Sequence, residues 1–390
     1  MTGFLRAVLI AVVCGGTSSA QDATCNAPAQ DVTSTFPLSG APFSAIPTAD
    51  GCTILVSLSG PGGHIGVFRR MSGTVTLAHD ILLASAPAGM TMSHDGELLA
   101  VAAGARVLLF DVSKVVAGDG SPLASASDGV TAASVYTAFS MDDTLLFVSD
   151  EGNATVSVYN VAKLRAGVTE SIGRVPVGLA PVGLAAARDG RTLYSTSELA
   201  RVGPAVCGAA GSKTSQGVVS VIDVAKAAVD PMQAVVASVP AGCDPVRIAL
   251  SARGDAAYVT ARGDNELLVL DTGRLRTDPD HARIAALPVG LAPVGVVVAG
   301  DRVITADSNR FAGNISQEWL SVIDTAKTEQ GAAAVLGSVP AGAFPRELYV
   351  TADGKTLLVT NFMSRSLELV DLSRLTSTYL SEQMNVRTSR

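Results

Sequence analysis

Charged and aromatic side chains are scarce in this chain, and several of them bunch into short polar segments. Asp307-Ser308-Asn309-Arg310-Phe311 is the densest. The others are Cys243-Asp244-Pro245-Val246-Arg247, Phe344-Pro345-Arg346-Glu347, Arg262 with Asp264 and Asn265, Glu198 with Arg201, Asn361 with Arg365, and His64 in a glycine-rich turn. Such sets suit reactions run by positioning and charge stabilisation. Arg247, Arg346 and Asn309 supply donors for an oxyanion. Glu347, Glu198 and Asp307 could hold a proton, with burial raising their pKa and the arginines lowering it. His64, Arg262, Arg310, Phe311, Phe344 and Asn361 complete a candidate binding set in which the rings cover an apolar body. Other chemistries lack their residues. The four histidines are scattered, so no Ser-His-Asp or Cys-His site assembles from spacing, and neither a phosphate-cradling glycine loop nor a zinc spacing is present. No metal and no cofactor are expected.

What must position these residues is a repeat. Units such as VPAGCDPVRIALSARGDAAYVTARGDNELLVLDTGR and VPAGAFPRELYVTADGKTLLVTNFMSRSLELVDLSR share one order of parts. Each has a Val-Pro-x-Gly-x-x-Pro loop, an apolar run, a Gly/Asp turn, a second run, a variable polar tip and a third run ending in Asp. Pro42 to Asp50, Pro87 to Asp95, Pro181 to Asp189 and Pro345 to Asp353 are each eight residues apart. With weaker copies around Asp50-Gly51 and Met141-Asp142-Asp143, the units number seven. Their runs are short, β-branched and bounded by Gly, Pro, Asp and Asn, which predicts antiparallel strands joined by hairpins, and helical spacing is absent. The fold class is therefore all-β, a seven-bladed β-propeller of four-stranded antiparallel blades. A pair of β-sandwiches gives no reason for a fixed period. Either residues near Asp31 to Phe36 or the tail near Ser377 to Leu380 close the ring as the outer strand of the last blade.

With strands a to d named from the axis outward, the d-to-a loops and b-to-c tips share one face. Every polar segment above falls there, as do the insertions at 199–216 and 311–318, while His94, Arg276, His281 and Lys327 fall on the opposite face. Polar hairpin tips are also what any solvated turn looks like. Arg247 and Arg346 differ, because they follow the loop proline into the innermost strand, where a cation must be paired or watered. A buried ion-pair network with Glu198, Asp307 and Glu347 is the purely structural alternative. Arg262-Gly263-Asp264 spells an adhesion tripeptide that a Gly-Asp-Asn hairpin explains better.

Residues Met1–Ala20 read as a secretory signal: Arg6, the apolar run Ala7–Val13, then Ser18-Ser19-Ala20, with 21–390 a single propeller domain. The run is too short to span a bilayer. Val13 is bulkier than the residue that usually precedes a lipid-attached cysteine such as Cys14 would be. Cys25, Cys52, Cys207 and Cys243 then remain in an oxidising compartment, paired by nearness as Cys25 with Cys52 and Cys207 with Cys243. Asn153 and Asn314 head N-glycosylation sequons. A net charge of −7 and 4% aromatics argue against nucleic acid or an anionic membrane as partner, so secretion leaves no membrane attachment.

The units resemble the YVTN-type propeller repeat, in the forms YVTARGDN, LYSTSE and LLVTNF, over roughly residues 35 to 375. CDPVR, TARGDN, ADSNRF and AGAFPRE together resemble a secreted subgroup of bacteria and fungi. Its fungal members are similar to hetero-Diels–Alderases of tropolone-sesquiterpenoid biosynthesis. That resemblance implies an apolar terpene and a tropolone-derived quinone methide as small-molecule partners, joined without a cofactor. Arg247, Arg346 and Asn309 would bind the tropolone oxygens, and Glu347, Glu198 or Asp307 would assist water loss. A non-catalytic propeller binding a protein or glycan is the alternative. A lactonase is another, and its metal-dependent form would need Asp307, Asn309, Glu347 and Asn361 to converge.

Overall fold

The computed structural model describes residues 25, 31–60, 62–71, 73–208, 213–311 and 317–388. Seven four-stranded antiparallel sheets follow one another in the order the repeat predicts. Their innermost strands are Ala41–Pro47, Met90–Met92, Ser134–Phe139, Leu179–Ala186, Pro245–Leu250, Pro293–Ala299 and Pro345–Val350. Each touches the next, and the seventh touches the first, which makes the sheets the blades of a closed ring. The N-terminal choice for closure is the one realised: Thr33–Pro37 pairs with Ser366–Asp371 as the outer strand of blade seven. The tail forms a helix instead, Ser377–Thr388, laid against the outer strand Val335–Ala341 of blade six.

Both faces of each sheet are covered by neighbouring blades, so strands such as Leu98–Ala103 are buried at every position and carry no polar alternation. One apolar cluster joins Val219 and Val221 of blade four to Val259 and Leu268 of blade five, and the other blades meet in the same way.

The expectation of no helix is corrected. The residue closing each third strand from blade two onward, Asp111, Asn160, Asp223, Asp271, Asp324 or Asp371, accepts backbone N–H groups at the start of a short helical turn. Most of these turns are too short to show a 3.6-residue period, yet the recurrent terminal Asp was their capping signal.

Hydroxyls stitch the ring together. Ser57, Thr196, Thr260 and Thr360 donate to the carbonyls of Ala88, Val246, Val294 and Phe43 at 2.8, 2.7, 2.8 and 3.1 Å. Each acceptor is the residue after the loop proline of the next blade. The oxygens of Ser57, Thr260 and Thr360 also accept the N–H of Ser44, Arg247 and Glu347, which a bulge in the innermost strand leaves unpaired. One hydroxyl thus serves two strands and two blades, at about 1 kcal/mol net per bond.

Both disulfides pair as nearness suggested, with Cα separations of 4.9 Å for Cys25–Cys52 and 5.6 Å for Cys207–Cys243. The first ties the N-terminal segment to the first turn of blade one. The second ties the insertion of blade four to the loop leading to Arg247.

Candidate functional site at the propeller axis

The loop proline, replaced by Ser134 in blade three, fixes where each blade reaches the axis. The residues after it form one layer, Phe43, Ala88, Val135, Val182, Val246, Val294 and Arg346, and the next residues form a second, Ser44, Gly89, Tyr136, Gly183, Arg247, Gly295 and Glu347. The first layer is apolar except for Arg346, and Val182, Val246, Val294 and Phe344 pack as one cluster against Val135 and Phe362. The second is crowded: a Cβ at Gly89 would meet Tyr136 at 2.6 Å, and one at Gly183 would meet the Val246 carbonyl at 2.5 Å. Glycine there lets three large side chains share the channel.

Those three engage one another. Arg247 donates from Nε to Glu347 Oε1 at 2.6 Å and from Nη1 to the Val182 carbonyl at 2.7 Å, and its Nη2 lies against the same carboxylate. Its guanidinium sits 4.7 Å from the centre of the Tyr136 ring and 5.9 Å from that of Phe43. Blades one, three, five and seven therefore converge here, and this pair is a finished buried ion pair.

Arg346 is different. Its guanidinium lies 3.8 Å from the centre of the Phe43 ring, with Phe362 and Phe344 at 5.4 and 5.5 Å. Its Nε is buried without a hydrogen-bond partner, and no carboxylate among the described residues lies within ion-pair distance. Burial, reinforced by the charge of Arg247, pushes its pKa down to about 9, which leaves it a cation at neutral pH. Phe344 covers it from a left-handed backbone (φ 54°), a conformation that Ala180, Asp244 and Ala292 also hold ahead of their own prolines. A bulky residue held there costs about 1–2 kcal/mol.

Around this layer runs a rim built from residues at or just beyond the ends of the second strands. Arg262 pairs with Glu198 at 3.0 Å and faces the Phe311 ring at 5.5 Å. Arg310 stacks on Phe311 and Phe344 at 5.3 and 5.6 Å. Glu151 holds the same register in blade three. It keeps an exposed edge, but the crowded rim and then the charge of Glu198 push its carboxyl pKa up.

The structure thus gathers Arg247, Arg346, Glu347, Glu198, Arg262, Arg310, Phe311 and Phe344, and leaves four expected site residues outside. Asp307 turns away from the axis into blade six, accepting from Thr305 and Ser321 at 2.8 and 2.7 Å and facing Arg387 of the terminal helix at 3.4 Å. Burial raises its pKa to about 6, and its contacts commit it to blade six and the terminal helix rather than to Arg247 or Arg346. Asn361, at the matching position of blade seven, donates to Glu368 at 3.0 Å. Asn309 donates to Glu318, and His64 pairs with Asp80 on an outer strand. The side chains a metal-dependent lactonase would need therefore point to separate partners.

Sequence reasoning missed Phe43, Tyr136, Phe362 and Glu151. The first two fill the axial layers in weak copies of the repeat. Glu151 follows Asp150 as Glu198 follows Ser197, so the register carried into the weak unit was the signal. The Asn153 sequon amide is occupied, donating to the Asp128 carbonyl at 3.2 Å and accepting from Thr131 at 2.7 Å. Arg262 of the tripeptide is buried. The Asn314 sequon, Cys14 and the signal segment lie outside the described residues.

Roomier clefts exist away from the axis. One of about 490 Å³ lies under the blade-four insertion between Val177, Val202, Pro204 and Pro240, and one of about 580 Å³ lies between blades five and six. The first is lined mainly by apolar residues and backbone, whereas Arg253, Asp255, Asp271 and Glu329 lie along the second, with Arg253 and Asp255 paired at 2.8 Å. Glu347 and Tyr136 also line an axial cavity of about 230 Å³ that continues toward Met90, Thr91 and His94.

No protein-family model matches the chain, and no curated protein does. Solved structures share the fold. Kuenenia stuttgartiensis hydrazine synthase aligns at TM-score 0.66 and 15% identity over 86% of this chain and 96% of that one. A chain of the mitotic checkpoint complex aligns at 0.65 and 14%, over 95% and 99%. The Cps50 (Swd1) β-propeller domain of Myceliophteria thermophila aligns at 0.63 and 11%, over 87% and 98%. At these identities the likeness is one of architecture, and the functions of these proteins are unrelated to one another.

Proposed function

We propose that the axial mouth binds a small organic molecule carrying an oxyanion on a flat or apolar body. One observation carries this reading: Arg346 is a half-buried cation set over the Phe43 ring, with a buried Nε that lacks a hydrogen-bond partner and, among the described residues, no carboxylate at ion-pair distance. A cation held so is costly until an anion reaches it, and a guanidinium fork binds a carboxylate or paired oxygens in bidentate fashion. Arg310 and Phe311 at the rim would meet the rest of the ligand.

The finer reading is a cofactor-independent hetero-Diels–Alder reaction between a tropolone-derived o-quinone methide and a humulene-type sesquiterpene. Glu151 favours it, because a carboxyl raised by its surroundings near Arg346 can give up a proton as water leaves the hydroxymethyl tropolone. Arg346 would hold the tropolone oxygens and stabilise charge on the electron-poor partner. The rings would keep both reactants in register, a contribution of about 7–11 kcal/mol at best. Arg247 and Glu347, committed to each other, hold the floor. The two disulfides support a secretory route, with residues 1–20 as signal and 21–390 as the mature domain.

Calorimetric titration with tropolone and with benzoate tests the site: Arg346→Met should weaken binding at least tenfold, and unchanged affinity removes Arg346 from it. Incubation with hydroxymethyl tropolone and humulene tests the reaction. Adduct yield and stereochemistry identical to a boiled control would leave a binding protein and eliminate the cyclase.

A further inference from the structure

Blades two and three meet over a second polar cluster, separate from the mouth. Asp128 follows the outer strand of blade two, Asp150 ends the second strand of blade three, and both are fully buried. The Tyr159 hydroxyl donates to Asp128 Oδ1 at 2.5 Å, and the Ser157 hydroxyl donates to Asp150 Oδ2 at 2.5 Å. Between them, Ser134 Oγ stands 3.0 Å from Asp128 Oδ2 and 3.0 Å from Asp150 Oδ1. A serine hydroxyl has one hydrogen, so it can donate to only one of these oxygens. The other contact needs a hydrogen of its own, and only a protonated carboxyl can supply it.

We propose that Asp128 and Asp150 share one proton through Ser134, as a latch that pins the crossing between blades two and three and the turn bearing Glu151. Three bonds hang that turn on the crossing. Glu151 N–H donates to Ala133 at 3.3 Å, Gly152 N–H to Ala132 at 2.8 Å, and Asn153 Nδ2 to the Asp128 carbonyl at 3.2 Å. The charged neighbour on the outer strand of blade three, Arg174, donates to the Asp128 carbonyl at 2.9 Å and neutralises neither carboxylate directly. Tyr159 on the third strand is a neutral donor, and Glu151 beyond the second strand adds only negative charge. Burial raises both carboxyls, and the charge of Asp128 helps carry Asp150 up to about 7. Loss of the shared proton leaves two buried anions with one hydroxyl hydrogen between them.

The sign follows from linkage. A carboxyl held protonated in the folded state stabilises fully below its unfolded pKa, and that contribution is lost as pH rises from about 4 to about 7. The folded chain binds one proton more there, so its unfolding equilibrium constant should rise about tenfold per pH unit from this source alone. Asp307 and Glu368 add slopes of their own, so the latch is read as the difference between wild type and Asp150→Asn, which should lack one proton's worth of slope. An equal slope in the two would overturn the proposal. Carbon NMR of the aspartate carboxyls of the wild-type chain decides independently of whether that variant folds. One carboxyl of the pair should keep its proton to near neutrality, and complete ionisation of both below about pH 5 would overturn it. Amide exchange at residues 151–153, corrected for intrinsic rate, should quicken once the pH passes about 7. Constant protection across that range would show that the cluster does not act as a latch.

Discussion

Blades five and seven each deliver an arginine to the axis, at positions one residue apart in the repeat. Arg247 stands in the second layer, across from Glu347, and the two close on each other. Arg346 stands in the first layer, where every other blade places an apolar residue, and among the described residues its guanidinium meets rings and no carboxylate at ion-pair distance. A cation whose counter-charge comes from within the fold is part of the frame. A cation left to aromatic faces keeps its strongest bonding capacity for something that arrives from outside.

Breaking the closed pair should have the largest effect. Glu347→Ala strands a buried guanidinium, and urea unfolding should show a loss of about 3–5 kcal/mol. If the loss is under about 1 kcal/mol, water has compensated the charge and the pair is not closed. Thr260→Val comes next, because it orphans the Arg247 N–H and the Val294 carbonyl together, at about 1–3 kcal/mol. Its twin Thr360→Val should cost a similar amount, since the backbone frame is the same in both blades even though the side chains it presents differ. Arg346→Met should move stability by no more than about 1 kcal/mol, in either direction, because no carboxylate is left stranded. A loss as large as that of Glu347→Ala would show an internal partner and dissolve the contrast.

A pH-dependent effect tests the outward-facing acids. Burial pushes the Glu368 carboxyl up to about 7, with Asn361 and the Gly342 backbone opposing. Its contribution is whole below about pH 4.5 and is lost as pH rises through about 7. Glu368→Gln should therefore match the wild type under acid and exceed it at pH 8 by up to about 3 kcal/mol, measured by paired denaturant titrations.

Much of the fold could be read from turn chemistry. The spacing from Pro42 to Asp50 and its repeats marked the inner hairpins, and the terminal Asp or Asn of the third runs from blade two onward announced a cap even where the helical turn it caps was too short to see. The site was legible in part. Arg247, Arg346, Glu347, Glu198 and Arg262 were marked by position in the unit, and Glu151 and Phe43 were hidden because their units are degenerate. Asp307 misled because it is one residue short of the rim, and alternation along a strand then turns it outward.

The sequence by itself determined the period, the strand boundaries, the proline that sets six of the seven inner strands on the axis and the cysteine pairing, because these rest on local backbone preference and short spans of chain. Only the closed ring decided that Arg247 meets a carboxylate 100 residues away, that Arg346 meets none among the described residues, and that the N-terminal strand rather than the tail completes blade seven. Those outcomes depend on which side chains a full turn of the ring brings face to face, and no local preference encodes that distance.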